Sequence, residues 1–137
     1  MNTIQQNIET MKKFQIMINT ANEEIANELI DDNAPFFTPA SPEPLYGGKG
    51  YLSLVYWLRK SFSNVQWNML DIIAENDKVA VMWECSGTND GQFMDISATG
   101  KTFKTTFMNF YYFNENGKIV KDVAGAGMIG IIQALKN

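Results

Sequence analysis

Apolar residues recur at helical spacing through roughly the first sixty positions and at alternate positions thereafter, so the chain divides into a helical part and a strand part. Ile4, Ile8, Met11 and Ile18 fall on one stripe, and residues 3–19 contain neither Gly nor Pro, which predicts a first helix. Thr20 followed three residues later by Glu23 resembles a capping box, and Ile25 and Leu29 then predict a short second helix to about Asp31. All four prolines lie between Asn33 and Gly48, a stretch that can be neither helix interior nor central strand and reads as a surface loop. After Gly47-Gly48-Lys49-Gly50, the spacing of Tyr51, Val55, Leu58 and Phe62 predicts a third helix ending between Ser61 and Asn64.

From Val65 the period becomes two. Val65, Trp67 and Met69 alternate with polar residues, residues 75–78 supply a turn, and Val79, Val81 and Trp83 alternate again as the second arm of a hairpin. A Gly-, Asn- and Asp-rich loop from Thr88 to Gly100 precedes a long strand over 102–113. That strand turns at Asn114-Glu115-Asn116-Gly117 and returns from Lys118 to about Ala126, and Met128–Lys136 can close as a short helix. Helices first and a four-strand antiparallel meander second is an α+β layout with the helices on one face of the sheet.

The long strand carries a further message. Phe103, Phe107, Asn109, Tyr111 and Phe113 share one side, but Met108, Phe110 and Tyr112 make the other side apolar as well. Helices cover one face only, so the second face needs another partner. With Met82 on the neighbouring strand, Met108, Phe110 and Tyr112 predict a homodimer through the outer sheet face; the Pro-rich loop or the C-terminal segment is the competing cover.

Composition narrows the function classes. The 137 residues are the size of a single domain, 1–137, and 45% apolar against 19% charged residues excludes a disordered tail. A net charge of -4 disfavours nucleic acid and anionic membranes as partners. The chain has no histidine, which excludes Ser-His-Asp and Cys-His hydrolysis and histidine-ligated metal sites. Cys85 is alone, so no intramolecular disulfide or CxxC motif can form, and without a histidine to activate it the thiol reads as a small buried hydrophobe. Asp71, Asp77 and Asp95 occur in turn or strand-edge contexts without metal-ligand spacing, and no metal or cofactor is expected. Gly47-Gly48-Lys49-Gly50 lacks the rest of a phosphate-binding loop and reads as a helix entry. The polar, amphipathic start MNTIQQNIETMKKF does not read as a signal peptide, and no apolar run reaches the ~20 residues of a spanning helix, so a cytoplasmic protein is expected.

Several local strings occur in order along this chain: Gly47–Gly50 before the third helix, Leu70–Trp83, Ala98-Thr99-Gly100-Lys101, Phe110–Phe113 through Gly117–Val120, and Ile132–Leu135, spanning about residues 47–136. With the order of elements, they resemble the nuclear transport factor 2-like superfamily, and within it the SnoaL-like polyketide cyclase family. The resemblance implies a cone-shaped, curved antiparallel sheet (cystatin-like/nuclear transport factor 2-like) with the N-terminal helices on its concave face, a deep apolar pocket, and dimers through the outer sheet face. In the resembled cyclases the last strand carries a His-Trp pair followed by an Asp that acts as acid/base for an intramolecular aldol closure. Here those positions hold Asp122, Val123 and Gly127, so neither the histidine nor that carboxylate is present.

Among the residues themselves, Asp122 is the candidate proton-transfer group, a role that desolvation on a pocket wall would make possible; the alternative is a rim charge paired with Lys121 or Lys104. Asn109 could orient a bound carbonyl or serve as a structural amide. Trp57, Trp67, Trp83, Phe107 and Tyr111 are expected to line or underlie the concave side, as an apolar cradle for a small molecule or as core. Two functions follow. One is a SnoaL-like module that binds a hydrophobic small molecule; the other is a cofactor-independent cyclase, isomerase or dehydratase acting on a hydrophobic carbonyl compound by general acid/base catalysis. An Asp122 that faces inward, away from the lysines, favours the enzyme, and one that reaches solvent favours the binding module.

Overall fold

Residues 3–37, 41–124 and 129–136 are described by the structure, a computed structural model. The first helix, α1 (Ile4–Thr20), starts at Thr3, whose hydroxyl accepts from the Gln6 N–H while the Gln6 side chain accepts from the Thr3 N–H. Its buried stripe is Asn7, Met11, Phe14, Met17 and Ile18. Ile4, expected on that stripe, is 46% exposed.

The second helix, α2 (Glu23–Leu29), departs from expectation at its cap. Asn22, not Thr20, accepts from the Ile25 N–H, and Thr20 belongs to the last turn of α1, where its hydroxyl donates to the Ile16 carbonyl. Ala21 in the left-handed region (φ 51°) separates the two helices. The Pro-rich stretch is not loop throughout. Pro35–Phe36 (β1) and Leu45–Tyr46 (β2) pair as a two-stranded ribbon, which turns Phe36 into the core. Helix α3 then spans Gly47–Ser61, so the four residues read as its entry are its first turn. Close packing explains the glycines: a Cβ on Gly48 would meet the Ala26 backbone at 2.6 Å.

Four strands form the main sheet in the order β3 (Gln66–Glu75), β4 (Lys78–Thr88), β5 (Thr102–Phe113), β6 (Ile119–Ala124), all antiparallel neighbours, as the alternation predicted. Asn76, at φ 53°, makes the tight β3–β4 turn. The last helix, α4 (Ile129–Lys136), packs on the part of β5 that β6 does not reach, with Gly130 close against the Thr105 side chain. Residues 125 and 126, expected to extend the last strand, lie outside the described residues, as does Met128, expected to begin the final helix.

Helix α1 closes the free edge of β3 with side-chain amides. Asn19 accepts from the Trp67 N–H and donates to the Trp67 carbonyl, both at 2.8 Å, and Gln15 accepts from the Met69 N–H at 2.7 Å. An edge residue thus finds in a helix side chain the donor and acceptor that a neighbouring strand would provide.

Two bulges decide which side chains face the helices. In β3, Met69 pairs with Trp83 and Asp71 with Met82, leaving Leu70 extra; in β6, Phe113 pairs with Ile119 and Tyr112 with Lys121, leaving Val120 extra. Each bulge lets residues of opposite parity share a face. Trp67 and Ile72 point inward on β3, and Ile119 and Asp122 point inward on β6. On the outer face, Ile73 (68% exposed), Met82, Met108 (61%), Phe110 (52%) and Val123 form a contiguous apolar strip across all four strands.

Candidate functional site

The inner face of the sheet is built in cross-strand rows. Trp67 lies beside Cys85 and Thr105, Met69 beside Trp83 and Phe107, and Val79 beside Tyr111, whose partner on β6 is Asp122. Phe14 of α1 sits on this face, with its ring 5.3 Å from Tyr111 and 6.3 Å from Trp83. Tyr51, from the first turns of α3, packs tilted against Phe14 at 5.1 Å and edge-to-face against Phe36 at 4.9 Å. One aromatic layer therefore closes the base, with Trp83, Phe14 and Tyr111 fully buried in it.

The polar groups of this layer converge on Asp122. Asn109, 6% exposed, donates from Nδ2 to Asp122 Oδ1 at 2.8 Å, the diagonal contact expected between neighbouring strands. Desolvation outweighs that hydrogen bond and raises the Asp122 carboxyl from its ordinary 3.8 to about 7. The lysines that were its alternative partners lie elsewhere. Lys121 Nζ stands 5.3 Å from the Tyr112 ring centroid on the outer face, Lys104 is exposed, and among the described residues Asp122 forms no ion pair.

Both tyrosine hydroxyls of the layer are held protonated by burial first and by the Asp122 charge second. They differ in their partners. Tyr111 Oη accepts from Trp83 Nε1 at 2.9 Å, whereas the Tyr51 hydroxyl has no protein hydrogen-bond partner among the described residues. Tyr51 was legible in the sequence only as an apolar position of the third helix. Its hydroxyl becomes notable once the Asp122 charge is seen to act on it. Cys85, buried, has its thiol pushed up to about 12 by desolvation and is present as a neutral thiol.

The remaining sequence candidates are dispersed. Trp57 packs against Phe93 with centroids 5.6 Å apart, where the 89–101 loop folds under α3, and Phe107 is half-buried beside Trp83. Trp67 is buried in the Cys85 row, its backbone held by Asn19. Gly127, where the resembled cyclases carry their acid/base, lies outside the described residues. An open polar groove of about 510 Å³ lined by Gln6, Thr10, Lys13 and Glu115 sits on the flank of α1 and contains none of these residues. Among the described residues no group of three or more potential metal ligands occurs, and no helix is long and apolar enough to cross a membrane.

A model of the SnoaL-like polyketide cyclase family matches residues 8–135, nearly the whole chain. The chain belongs to that family. No curated protein matches the chain by sequence. Solved structures match it closely in fold at low identity. TsrD from Streptomyces laurentii superposes with a TM-score of 0.84 at 16% identity, covering 98% of each chain. A SnoaL-like protein from Jannaschia sp. CCS1 gives 0.81 at 16%, covering 98% of this chain and 95% of the other. IdmH from Streptomyces antibioticus gives 0.78 at 22%, covering 96% and 99%. At these identities the likeness shows the nuclear transport factor 2-like α+β fold, and activity must be argued from the residues of this SnoaL-like protein itself.

Proposed function

We propose that this SnoaL-like protein is a cofactor-independent enzyme that moves a proton on a hydrophobic carbonyl compound, with Asp122 as the general acid/base and Tyr51 as the hydrogen-bond donor to the carbonyl oxygen. The observation that carries the reading is the inward Asp122, held by Asn109 without a cation and poised at about 7. A carboxyl so poised is substantially present in both states at neutral pH, as a group that takes and returns a proton requires. The Asp122 carboxylate removes a proton from the carbon next to the carbonyl, and the Tyr51 O–H stabilises the charge that develops on the oxygen. The enolate then closes on a second carbonyl whose oxygen takes the proton back from Asp122, is reprotonated by Asp122 at another carbon, or expels a β-hydroxyl group that leaves as water with that proton, corresponding to cyclase, isomerase or dehydratase chemistry.

Half-buried Tyr51, Leu54, Trp57, Phe107 and Asp122 on the inner side support a cavity for an apolar ligand there. Asn109 donates to Asp122 and Tyr111 is 1% exposed, so half-buried Tyr51 is the better placed of the three to reach a carbonyl. The outer strip Ile73, Met82, Met108, Phe110 and Val123 supports a homodimer, with Tyr112 at its margin between Lys78 and Lys121.

The test is turnover of a panel of enolisable polycyclic and linear polyketones by the native protein and by Asp122→Asn and Tyr51→Phe. Asp122→Asn is expected to lose about a thousandfold and Tyr51→Phe about tenfold to a hundredfold. Unchanged turnover in Asp122→Asn rejects the assignment of the acid/base, and no turnover of any compound by the native protein leaves the binding module as the better reading.

A further inference from the structure

Every cationic side chain of the protein has a place in the structure, and none lies in the aromatic layer around Asp122. The eleven Lys and Arg residues all fall within the described residues. Arg59 donates to the Asn19 carbonyl at 2.9 Å, Lys118 is half-buried beside the β5–β6 turn, and the other lysines are exposed. None acts on the Asp122 carboxyl, whose state is set by burial and by the Asn109 amide. The groups packed around it are neutral. Tyr51 from α3, Cys85 from β4 and Tyr111 from β5 hold their protons well above neutral pH, and the buried residues of α1 and α2 carry no charge. Asn109 Oδ1, buried and without a partner among the described residues, adds a second acceptor beside the carboxylate. The inner face thus holds one charge, negative when present, with no cation to balance it.

We propose that this lone carboxyl makes the site a proton-linked selector of ligand charge: it takes uncharged carbonyl compounds in either state of Asp122, and takes a carboxylic acid only together with one proton from solvent. The reason is like-charge repulsion in a desolvated place. Two negative charges ~5 Å apart, at the effective permittivity of a protein interior, repel strongly enough for roughly a hundredfold loss of affinity, and no lysine or arginine is at hand to offset it. One proton shared between ligand and Asp122 removes that penalty, as it does for paired carboxylates. A ketone, ester or amide meets no such repulsion. Its carbonyl oxygen needs a donor, and the Tyr51 hydroxyl supplies one without adding charge. The inference rests on Asp122 as the centre of the proposed site and names the ligand class that site accepts, a carbonyl compound uncharged at the end that reaches Asp122.

Matched pairs that differ in charge test it: 2-naphthoic acid against 2-naphthamide, and benzoic acid against benzamide. Each is titrated calorimetrically into the native protein and into Asp122→Asn from about pH 6 to about pH 9. In the native protein the acid should weaken relative to its amide by tenfold to a hundredfold across this range. At about pH 8 its binding should take up close to one proton per molecule, read from two buffers of different ionisation enthalpy. Asp122→Asn should abolish both effects. Proton uptake is measured on the native protein, so the test stands if the variant does not fold. An acid that binds as well as its amide at about pH 9, or without proton uptake at about pH 8, overturns the inference, as does failure of both acids to bind at about pH 6. Affinity is read without turnover. Proton-linked discrimination in a protein that turns over no polyketone would establish the selector and reject the enzyme, and pH-independent acid binding in a protein that Asp122→Asn inactivates would do the reverse.

Discussion

Replacing Asp122 by Asn should make the protein more stable as the solution becomes more alkaline, by an amount that follows from the site. Folding raises the carboxyl from 3.8 to about 7, so between these values the native state holds a proton that the unfolded chain has released. Stability therefore falls as pH rises through this window, and the loss is complete above the folded value. At ~1.4 kcal/mol for each unit of pKa difference, ionised Asp122 costs the fold about 4 kcal/mol at about pH 8 and about 1.7 kcal/mol at about pH 5. Asn has the same shape, cannot ionise, and keeps an oxygen for the Asn109 amide. The stability difference between variant and native protein should thus widen in favour of the variant by about 2.6 kcal/mol from about pH 5 to about pH 8, or roughly 8 °C in Tm for a chain of this size. Urea unfolding of both proteins across that range measures it. A difference that stays constant to within about 0.5 kcal/mol would mean that the carboxyl is not desolvated in the folded protein, and the reasoning about the site would fall with it.

Three further outcomes are expected. Tyr51→Phe should cost less than about 0.5 kcal/mol, since its hydroxyl has no protein partner among the described residues, whereas Tyr111→Phe should cost about 1–2 kcal/mol by leaving the Trp83 N–H unpaired; denaturant midpoints compare the two directly. Asn19→Ala should lose about 1–3 kcal/mol and speed amide exchange at Trp67, because it removes both side-chain bonds to the Trp67 backbone while Gln15 keeps its bond at Met69. Phe110→Asp should leave the monomer fold intact, its side chain being half exposed, and should shift sedimentation from dimer to monomer; a native protein that already sediments as a monomer at micromolar concentration would end the dimer proposal.

Where periodicity was long and unbroken, sequence was a good guide. The strand over 102–113 appears at its expected bounds because apolar residues on both faces, bordered by a Gly-rich loop and an Asn-Gly turn, permit no other reading. Local signals that compete were harder. Thr20 and Asn22 both offer a cap before Glu23, and only the left-handed Ala21 between the helices shows which residue serves. Two prolines frame a ribbon only two residues wide, far too short for any alternation to register. Side-chain direction at Asp122 could not be read at all. Counting by twos from Ile119 would turn Lys121 inward and Asp122 out, and the extra residue at Val120 reverses that count. Tyr51 was hidden for another reason: helical spacing identifies which residues face inward but not which hydroxyl arrives without a partner.

That bulge has an evolutionary side. The segment Val120-Lys121-Asp122-Val123 carries an acid on one parity and a primary amine on the other, and backbone register alone selects which of them the interior receives. A lineage that lost the bulge while keeping Ile119 anchored could exchange a carboxylate for an amine, and enolate chemistry for imine chemistry, without changing the identity of a single residue in the strand. In such a fold, a change of register in the last strand is a route to new reactions as direct as substitution.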